Sequence, residues 1–249
     1  MRIILSPTKK MRSDPDSLPC CGLPVFLPKT EEILRWLQNQ SEAELKALWG
    51  CSDQIAAQNI ERIREMDLHH GLTPAILSYE GIAFQYMAPA VFEDAHLAYV
   101  QEHLRILSGF YGALKPLDGV TPYRLEMQSR AKIGSHKDLY SFWGSSLYAQ
   151  IRPESGVILN LASKEYAKCI EKYLSPADTF VTCTFAENVK GKLVQKGTFA
   201  KMARGEMVRY LSQQQAASPE IVKAFDRLSY RFRGELSDDR NFIFERIPE

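Results

Sequence analysis

The sequence predicts an α+β fold, a single domain over residues 1–249 in which helices flank one mixed sheet. Short apolar runs typical of strands alternate at uneven intervals with longer amphipathic segments typical of helices. The composition, with 45% hydrophobic and 24% charged residues, is that of a folded soluble protein. At 249 residues the chain is long enough to bury a large core.

The predicted strands are short and rich in branched apolar residues. They cover residues 2–5, 75–84, 156–161 and 179–185, followed by a terminal hairpin that pairs 230–232 with 242–244. The predicted helices begin near Thr30, at Ser41 and at Ser52. Ser41 and Glu44 have the spacing of a capping box. Further helices are predicted over 90–108, 137–151, 163–174, 198–212 and 219–228.

The overall charge and the cysteines exclude several classes of protein. A formal net charge of +1 means that any affinity for nucleic acid must come from clustered basic residues. Five cysteines without a CxxC pair predict reduced thiols, and the histidines show no metal-binding spacing. Phosphate-loop and dinucleotide fingerprints are missing. We therefore expect no cofactor, no metal and no membrane span in a cytoplasmic protein.

Two predicted strands end in residues that suit an anion. The first is followed by Ser6, Lys9 and Lys10, and the strand at 156–161 carries Asn160 and leads to Ser163 at a predicted helix start. Hydroxyls, ammonium groups and helix N-termini all bind phosphate or carboxylate. A solvated loop and an ordinary helix cap are the alternatives. Because strand ends in sheet proteins converge on one crevice, we expect the two turns to lie side by side.

A glycine-bracketed turn at 109–112 is the next candidate. Gly109 and Gly112 follow a predicted helix, and Lys115 comes shortly after them. A G-x-x-G turn between helices resembles the hairpin of helix-hairpin-helix elements, whose backbone amides contact DNA phosphates without reading sequence. An ordinary helix C-cap is the alternative. Tyr111, Gly112 and Lys115 are therefore candidate nucleic-acid contacts, with Tyr111 available for base stacking.

The stretch from 122 to 143 adds further candidates. Arg124 and Glu126 alternate as on an extended segment, where both point to the same side and pair. Apolar residues at helical spacing between 139 and 143 leave Lys137 and Tyr140 together on another face. Arg124 and Lys137 are candidate phosphate contacts, and Tyr140 is a candidate for stacking.

The predicted helix over 198–212 carries a basic face. Lys201, Arg204 and Arg209 gather opposite its apolar residues, and Gly205 falls in the middle of this face. A glycine inside a helix costs roughly 1 kcal/mol relative to alanine. Its position suggests that a ligand approaches the backbone there, and the alternative is a solvated helix face.

Taken together, these segments resemble the YaaA family of bacterial peroxide-stress proteins. The resemblance rests on Ser6-Pro7 with Lys9, the tract 103–127, the segments 137–144 and 160–166, and Lys201-Met-Ala-Arg-Gly205. It implies a domain of unusual topology with a positively charged cleft and a helix-hairpin-helix-like element. It also implies binding to duplex or distorted DNA without sequence specificity, and a role in limiting damage from peroxide and intracellular iron.

The residues themselves leave a second function open, which is an enzyme acting on a nucleotide or on damaged nucleic acid. Ser6, Asn160, Tyr140 and Glu165 form a more varied polar set than phosphate binding requires, and a buried carboxylate beside lysine and tyrosine suits acid–base chemistry. A small-molecule ligand and a protein partner in the same cleft also remain open.

Overall fold

The computed structural model describes residues 1–247. Its strands, in chain order, are β1 Arg2–Leu5, β2 Lys10–Met11, β3 Thr73–Pro74, β4 Tyr79–Glu80, β5 Leu104–Ser108, β6 Gly112–Leu114, β7 Gly119–Val120, β8 Val157–Asn160, β9 Thr179–Val189, β10 Lys192–Val194, β11 Tyr230–Phe232 and β12 Asn241–Arg246. Its α-helices are α1 Leu27–Gln38, α2 Glu42–Trp49, α3 Asp53–Arg64, α4 Ala75–Ser78, α5 Ile82–Met87, α6 Asp94–His103, α7 Leu139–Trp143, α8 Ser146–Ile151, α9 Lys164–Glu171 and α10 Gly197–Gln213. Short 3₁₀ helices cover Pro89–Val91, Pro219–Ala224 and Gly234–Leu236.

The main sheet is mixed, as the sequence predicts. Its strand order is β11-β12-β9-β8-β1-β5-β6, and β10 pairs with part of β9. The five inner strands from β12 to β5 run parallel to one another, whereas β11, β6 and β10 pair antiparallel. The carboxyl ends of the five parallel strands therefore meet at one edge of the sheet. The α+β prediction is confirmed.

Helices cover both faces of this sheet, which explains why its central strands are apolar on both sides. Ile3 and Ile4 point to opposite faces of β1, and neither is exposed to solvent. Helix α10 packs against α5, α6 and β9, and α8 packs against β6 and α9. Among residues 1–247, no helix has the length and apolar character needed to cross a bilayer.

The structure corrects several predicted elements. Residues 75–84 do not form one strand, because the segment contains α4, the two-residue β4 and α5. The helix predicted over 90–108 ends at His103, and Leu104–Ser108 forms β5 with all five residues buried. A fully buried strand has no polar alternation, so its pattern cannot be distinguished from that of a buried helix.

The β5 assignment also overturns the helix-hairpin-helix element. The turn at 109–111 joins β5 to β6 as a β-hairpin, with Ser108 paired to Gly112. The helix predicted over 137–151 is interrupted, because α7 ends at Trp143 and is followed by Gly144, whose φ of 52° is in the left-handed region. The helix predicted over 219–228 is the shorter 3₁₀ helix Pro219–Ala224.

The capping box of α2 is present, and it yields a stability prediction. The Ser41 hydroxyl accepts the Glu44 backbone N–H, and the Glu44 carboxylate accepts the Ser41 backbone N–H at 2.8 Å. We expect Ser41→Ala to lower the free energy of unfolding by about 1 kcal/mol in denaturant titrations. Ser52→Ala is the matched control, because Ser52 occupies the N-cap of α3 without a side-chain capping bond. Equal losses for the two variants would contradict the capping explanation.

Candidate functional site

The turns that follow β1 and β8 lie side by side at the carboxyl edge of the sheet. The register places Ile4 beside Asn160, and both chains continue from there into the turns. The Ser163 backbone N–H donates to Ser6 Oγ at 2.8 Å, and the Ser6 hydroxyl donates to Ser163 Oγ at 3.2 Å. Ser163 occupies the N-cap of α9, but its side chain makes no capping hydrogen bond. The hydroxyls of both turns thus sit together at the start of a helix.

These turns form the base of a cleft with a volume of about 550 Å³. Its apolar lining comes from Leu5, Leu161, Tyr123 and Tyr166, with Ile82 and Ala83 from α5. Its charged lining consists of Lys9, Lys10, Arg124, Lys201, Arg204, Glu80, Glu126 and Glu165. Apolar walls with a few convergent polar groups are typical of small-ligand sites of this size.

The cleft carries charges of both signs, so the positively charged cleft that the resemblance implies is not confirmed. Lys10 Nζ lies 3.1 Å from the Glu80 carboxylate, and Lys9 Nζ lies 3.3 Å from Glu126 Oε1. Arg124 Nη2 lies 3.6 Å from the same Glu126 oxygen. Within the described part of the chain, Lys201 and Arg204 form no ion pair. The net positive charge of the cleft is therefore concentrated on α10.

Several polar atoms of the cleft are buried without a hydrogen-bond partner. They are Nε of Arg124, Nε of Arg204 and Oε1 of Glu126, which faces its two cations without hydrogen-bond geometry. Only two other side-chain atoms among residues 1–247 share this state, on Trp49 and Arg105. A buried polar group without a partner costs about 1–3 kcal/mol. Such groups concentrated in one cleft indicate a site built for a ligand with both acceptors and donors.

Burial shifts the pKa of two cleft residues. The pKa of Arg204 is lowered because its guanidinium is removed from water, an effect that the Cys183 thiol on β9 opposes. The pKa of Glu165 is raised, mainly by burial and further by Glu126, although the Gln128 backbone N–H donates to its Oε1 at 3.1 Å. Arg204 therefore lies near Cys183 of β9, and Glu165 reaches the segment that carries Glu126.

A buried hydroxyl network supports the wall formed by Tyr123. The Tyr123 hydroxyl lies 2.6 Å from Ser108 Oγ and 2.8 Å from the Tyr79 hydroxyl. Ser108 Oγ also accepts the backbone N–H groups of Phe110 and Tyr111, at 3.1 and 2.8 Å. The Ser108 hydrogen is then available to Tyr123. The network fixes the segment with Arg124 and Glu126 over the end of β5.

The structure separates three candidates of the 109–115 region from the cleft. Tyr111 is 1% exposed, and its hydroxyl lies 3.0 Å from Thr121 Oγ1, so it has no free face for a base. Gly112 is buried, and a Cβ there would lie about 3 Å from side-chain atoms of Trp143, Leu147 and Phe26. Lys115 is exposed beyond the end of β6, beside Arg105 at the opposite edge of the sheet. These three residues do not form part of one cleft with Ser6.

Gly205 also has a structural explanation that differs from the predicted one. A Cβ at Gly205 would lie 1.8 Å from the Ala83 carbonyl oxygen, so α10 has a glycine there to approach the backbone of α5. Arg209 does not line the cleft, and its side chain is partly buried elsewhere on α10. The predicted basic face is thus reduced to Lys201 and Arg204 at the site itself.

The three remaining candidates, Asn160, Tyr140 and Lys137, do not line the cleft. Asn160 is 3% exposed and satisfied, because its amide donates to Thr182 Oγ1 at 3.1 Å and its carbonyl accepts the Ala162 N–H at 2.9 Å. Tyr140 donates to the backbone carbonyl of Glu165 at 3.1 Å, behind the lining. Lys137 is exposed and outside the cleft. Asn160 shapes the turn and leaves ligand contacts to its neighbours.

Sequence reasoning omitted Glu80 and Tyr166 as parts of the site, whereas Tyr123 was a candidate for base stacking and does line the cleft. Tyr166 resembles an ordinary core tyrosine in sequence, and Glu80 comes from a segment wrongly predicted as part of a long strand. The alternation of Arg124 and Glu126 is the sequence signal for this part of the cleft, because it predicts the ion pair that these two residues form. Among residues 1–247, no three His, Cys, Asp or Glu side chains are grouped as metal ligands.

Comparison with known proteins places the chain in a family. A family model described as peroxide stress protein YaaA matches residues 1–236. The chain belongs to the YaaA peroxide stress family. Similar proteins named UPF0246 protein occur in Agathobacter rectalis, at 58% identity over 99% of both chains, and in Lachnoclostridium phytofermentans, at 54% identity over 98% of this chain and 96% of the other. A relative in Pediococcus pentosaceus is 47% identical over 98% of this chain and 97% of its own. Membership in the YaaA family supports a role in peroxide stress.

Proposed function

We propose that this peroxide-stress protein binds DNA through the cleft, taking in one unpaired nucleotide while contacting phosphates without reading the flanking sequence. The observation that carries the proposal is the pair of guanidinium Nε groups, on Arg124 and Arg204, that are buried in the cleft without an acceptor. Arginine forms strong, charge-assisted hydrogen bonds with phosphate oxygens. A strand bound in this way is shielded from oxidants, which limits damage caused by iron and peroxide.

The size of the cleft favours one nucleotide over an intact duplex. Its volume of about 550 Å³ lies within the range typical of small-molecule sites. Proteins that act on a single base take it out of the stack into such a pocket, at least cost where the base is already unpaired. The Ser163 hydroxyl, at the N-terminus of α9, provides a further donor for its phosphate, because the Ser6 hydroxyl already donates to Ser163 Oγ.

The test measures binding by fluorescence anisotropy for a fully paired duplex and for the same duplex with one unpaired nucleotide, across a salt series. We expect the unpaired site to bind more tightly. Arg204→Met and Lys201→Gln should each weaken binding by about tenfold or less and lower the salt slope by about 1. Lys115→Gln is the matched control, because Lys115 lies at the opposite edge of the sheet.

Two results would contradict this proposal. One is equal weakening by Lys115→Gln, which would move the binding surface away from the cleft. The other is a lack of measurable binding to either DNA at low salt. Melting curves on the same variants identify any loss of binding that is caused by unfolding, which matters most for Arg204 because it is largely buried.

A second candidate function, an enzyme acting on the bound nucleotide, is favoured by the two carboxylates at the cleft. Glu126 lies between two cations, whereas burial raises the pKa of Glu165. Carboxylates in such different environments are the usual arrangement of an acid and a base. The test is mass spectrometry of intact and of oxidised oligonucleotides after incubation with the protein, which would detect a product. Recovery of all these oligonucleotides unchanged would exclude this function for the substrates tested.

A further inference from the structure

The charged groups of the cleft are distributed along the sheet edge, and their positions restrict the length of the ligand and the polar groups at its two ends. The segment with Glu126 lies over the end of β5, because Tyr123 is bound to Ser108 there. Arg204 lies over β9, beside Cys183. Strands β5 and β9 are separated by β1 and β8, which amounts to three strand spacings or about 14 Å. The site therefore suits an elongated ligand with an anion at one end and a different polar group at the other.

The groups at the β5 end have a definite hydrogen-bonding pattern. Lys9 Nζ is a donor 3.3 Å from Glu126 Oε1, and the Glu126 carboxylate supplies two acceptor oxygens beside it. Oε1 is buried and has no hydrogen-bond partner. Lys9 and the carboxylate therefore present one donor beside two acceptors, and Arg124 Nη2 is a further donor 3.6 Å from Oε1. A phosphate complements Arg124 but not the two acceptors, because the carboxylate would face another anion.

Among the four DNA bases, guanine has the complementary pairing edge. Its O6 is an acceptor, and N1–H and the 2-amino group are adjacent donors. A single carboxylate accepts both donors, whereas adenine and cytosine each present one donor group next to an acceptor, and thymine presents one N–H between two carbonyls. A base taken out of the stack is read on this edge, which a paired base conceals.

We propose that the nucleotide taken into the cleft carries guanine or a base with the same edge, with Lys9 on its O6 and the Glu126 carboxylate on its N1–H and 2-amino group. This proposal rests on the proposed function and specifies the base at the same site. Tyr123 and Tyr166 flank the base, and the phosphate extends along the edge towards Arg204.

The test compares duplexes that differ only in the unpaired nucleotide: guanine, hypoxanthine, adenine or an abasic site. We expect guanine to bind about tenfold more tightly than adenine, with hypoxanthine between them because it lacks the 2-amino group. Glu126→Gln replaces one acceptor oxygen by a donor, so guanine and adenine should then bind within about twofold of each other. Glu61→Gln, an exposed change on α3 with the same loss of charge, should keep the preference.

The outcomes separate this inference from the function it rests on. Equal binding of the four DNAs by the unaltered protein would overturn the guanine assignment and leave the DNA-binding proposal intact. A guanine preference that persists in Glu126→Gln would overturn the role of Glu126. A parallel titration uses guanosine monophosphate and adenosine monophosphate in place of DNA. Selective binding of guanosine monophosphate without DNA binding would support the base assignment and refute DNA as the partner. Absence of binding to DNA and to both nucleotides would refute the guanine assignment and the DNA-binding proposal.

Discussion

Gly205→Ala is expected to destabilise the protein strongly. Because the new methyl carbon would lie 1.8 Å from the Ala83 carbonyl oxygen, α10 and α5 must move apart. Overpacking of this kind costs roughly 1–3 kcal/mol and sometimes more. The gain in helix propensity is at most about 1 kcal/mol. We expect a net loss of about 2 kcal/mol or more, seen as a melting temperature lower by at least roughly 4 °C.

Gly197→Ala supplies the matched control on the same helix. Gly197 is the first residue of α10, and a Cβ there would meet no atom within 4 Å. The control should melt at the same temperature as the unaltered protein or slightly higher. If Gly205→Ala were as stable as the control, the close approach of α10 to α5 would be refuted, and the glycine would again need a ligand to explain it.

Ser108→Ala is expected to cost about 2–4 kcal/mol of unfolding free energy. The substitution removes the acceptor of two buried backbone N–H groups and one partner of the Tyr123 hydroxyl. Each buried group left without a partner costs about 1–3 kcal/mol. The measurement is the midpoint of urea unfolding, with an unchanged slope showing that the compactness of the two states is unaffected.

Ser212→Ala controls for the loss of a buried serine hydroxyl. Ser108 and Ser212 are both fully buried, but Ser212 Oγ donates only to the Arg209 carbonyl of its own helix. This variant should lose much less stability, because that carbonyl is freed within the helix and no buried N–H is left without an acceptor. Similar losses in the two variants would show that the hydroxyl network around Tyr123 contributes little beyond packing.

The parts of the fold that could be predicted from sequence are those whose signal is local. The capping box at Ser41 and the strands β9, β11 and β12 have patterns that do not depend on distant residues. Strand β5 could not be recognised, because both of its faces are covered and its five residues are buried. The error then propagated, since a helix at 104–108 made the next turn resemble a hairpin between helices.

The part of the site that could be predicted from sequence is the part formed at the ends of neighbouring parallel strands. Ser6 and Ser163 were expected together because both follow apolar strands, and adjacent parallel strands do bring them into contact. Lys115 could not be placed, because its position depends on β6 reversing direction to the other edge. Gly205 was ambiguous for a related reason, since a ligand and a neighbouring helix require the same small residue.

The central position of β1 determines when the protein can fold during its synthesis. Ile3 pairs with Leu104 on one side and with Leu159 on the other, and both partners leave the ribosome long after it. Contacts of such high sequence separation slow folding, because a long loop must be closed before the contact forms. Until then Ile3, Ile4 and Leu5 remain an unpaired apolar segment on the nascent chain, the type of segment that aggregates or is bound by chaperones. Folding of the cleft is therefore a late event that follows translation of β8 and α10.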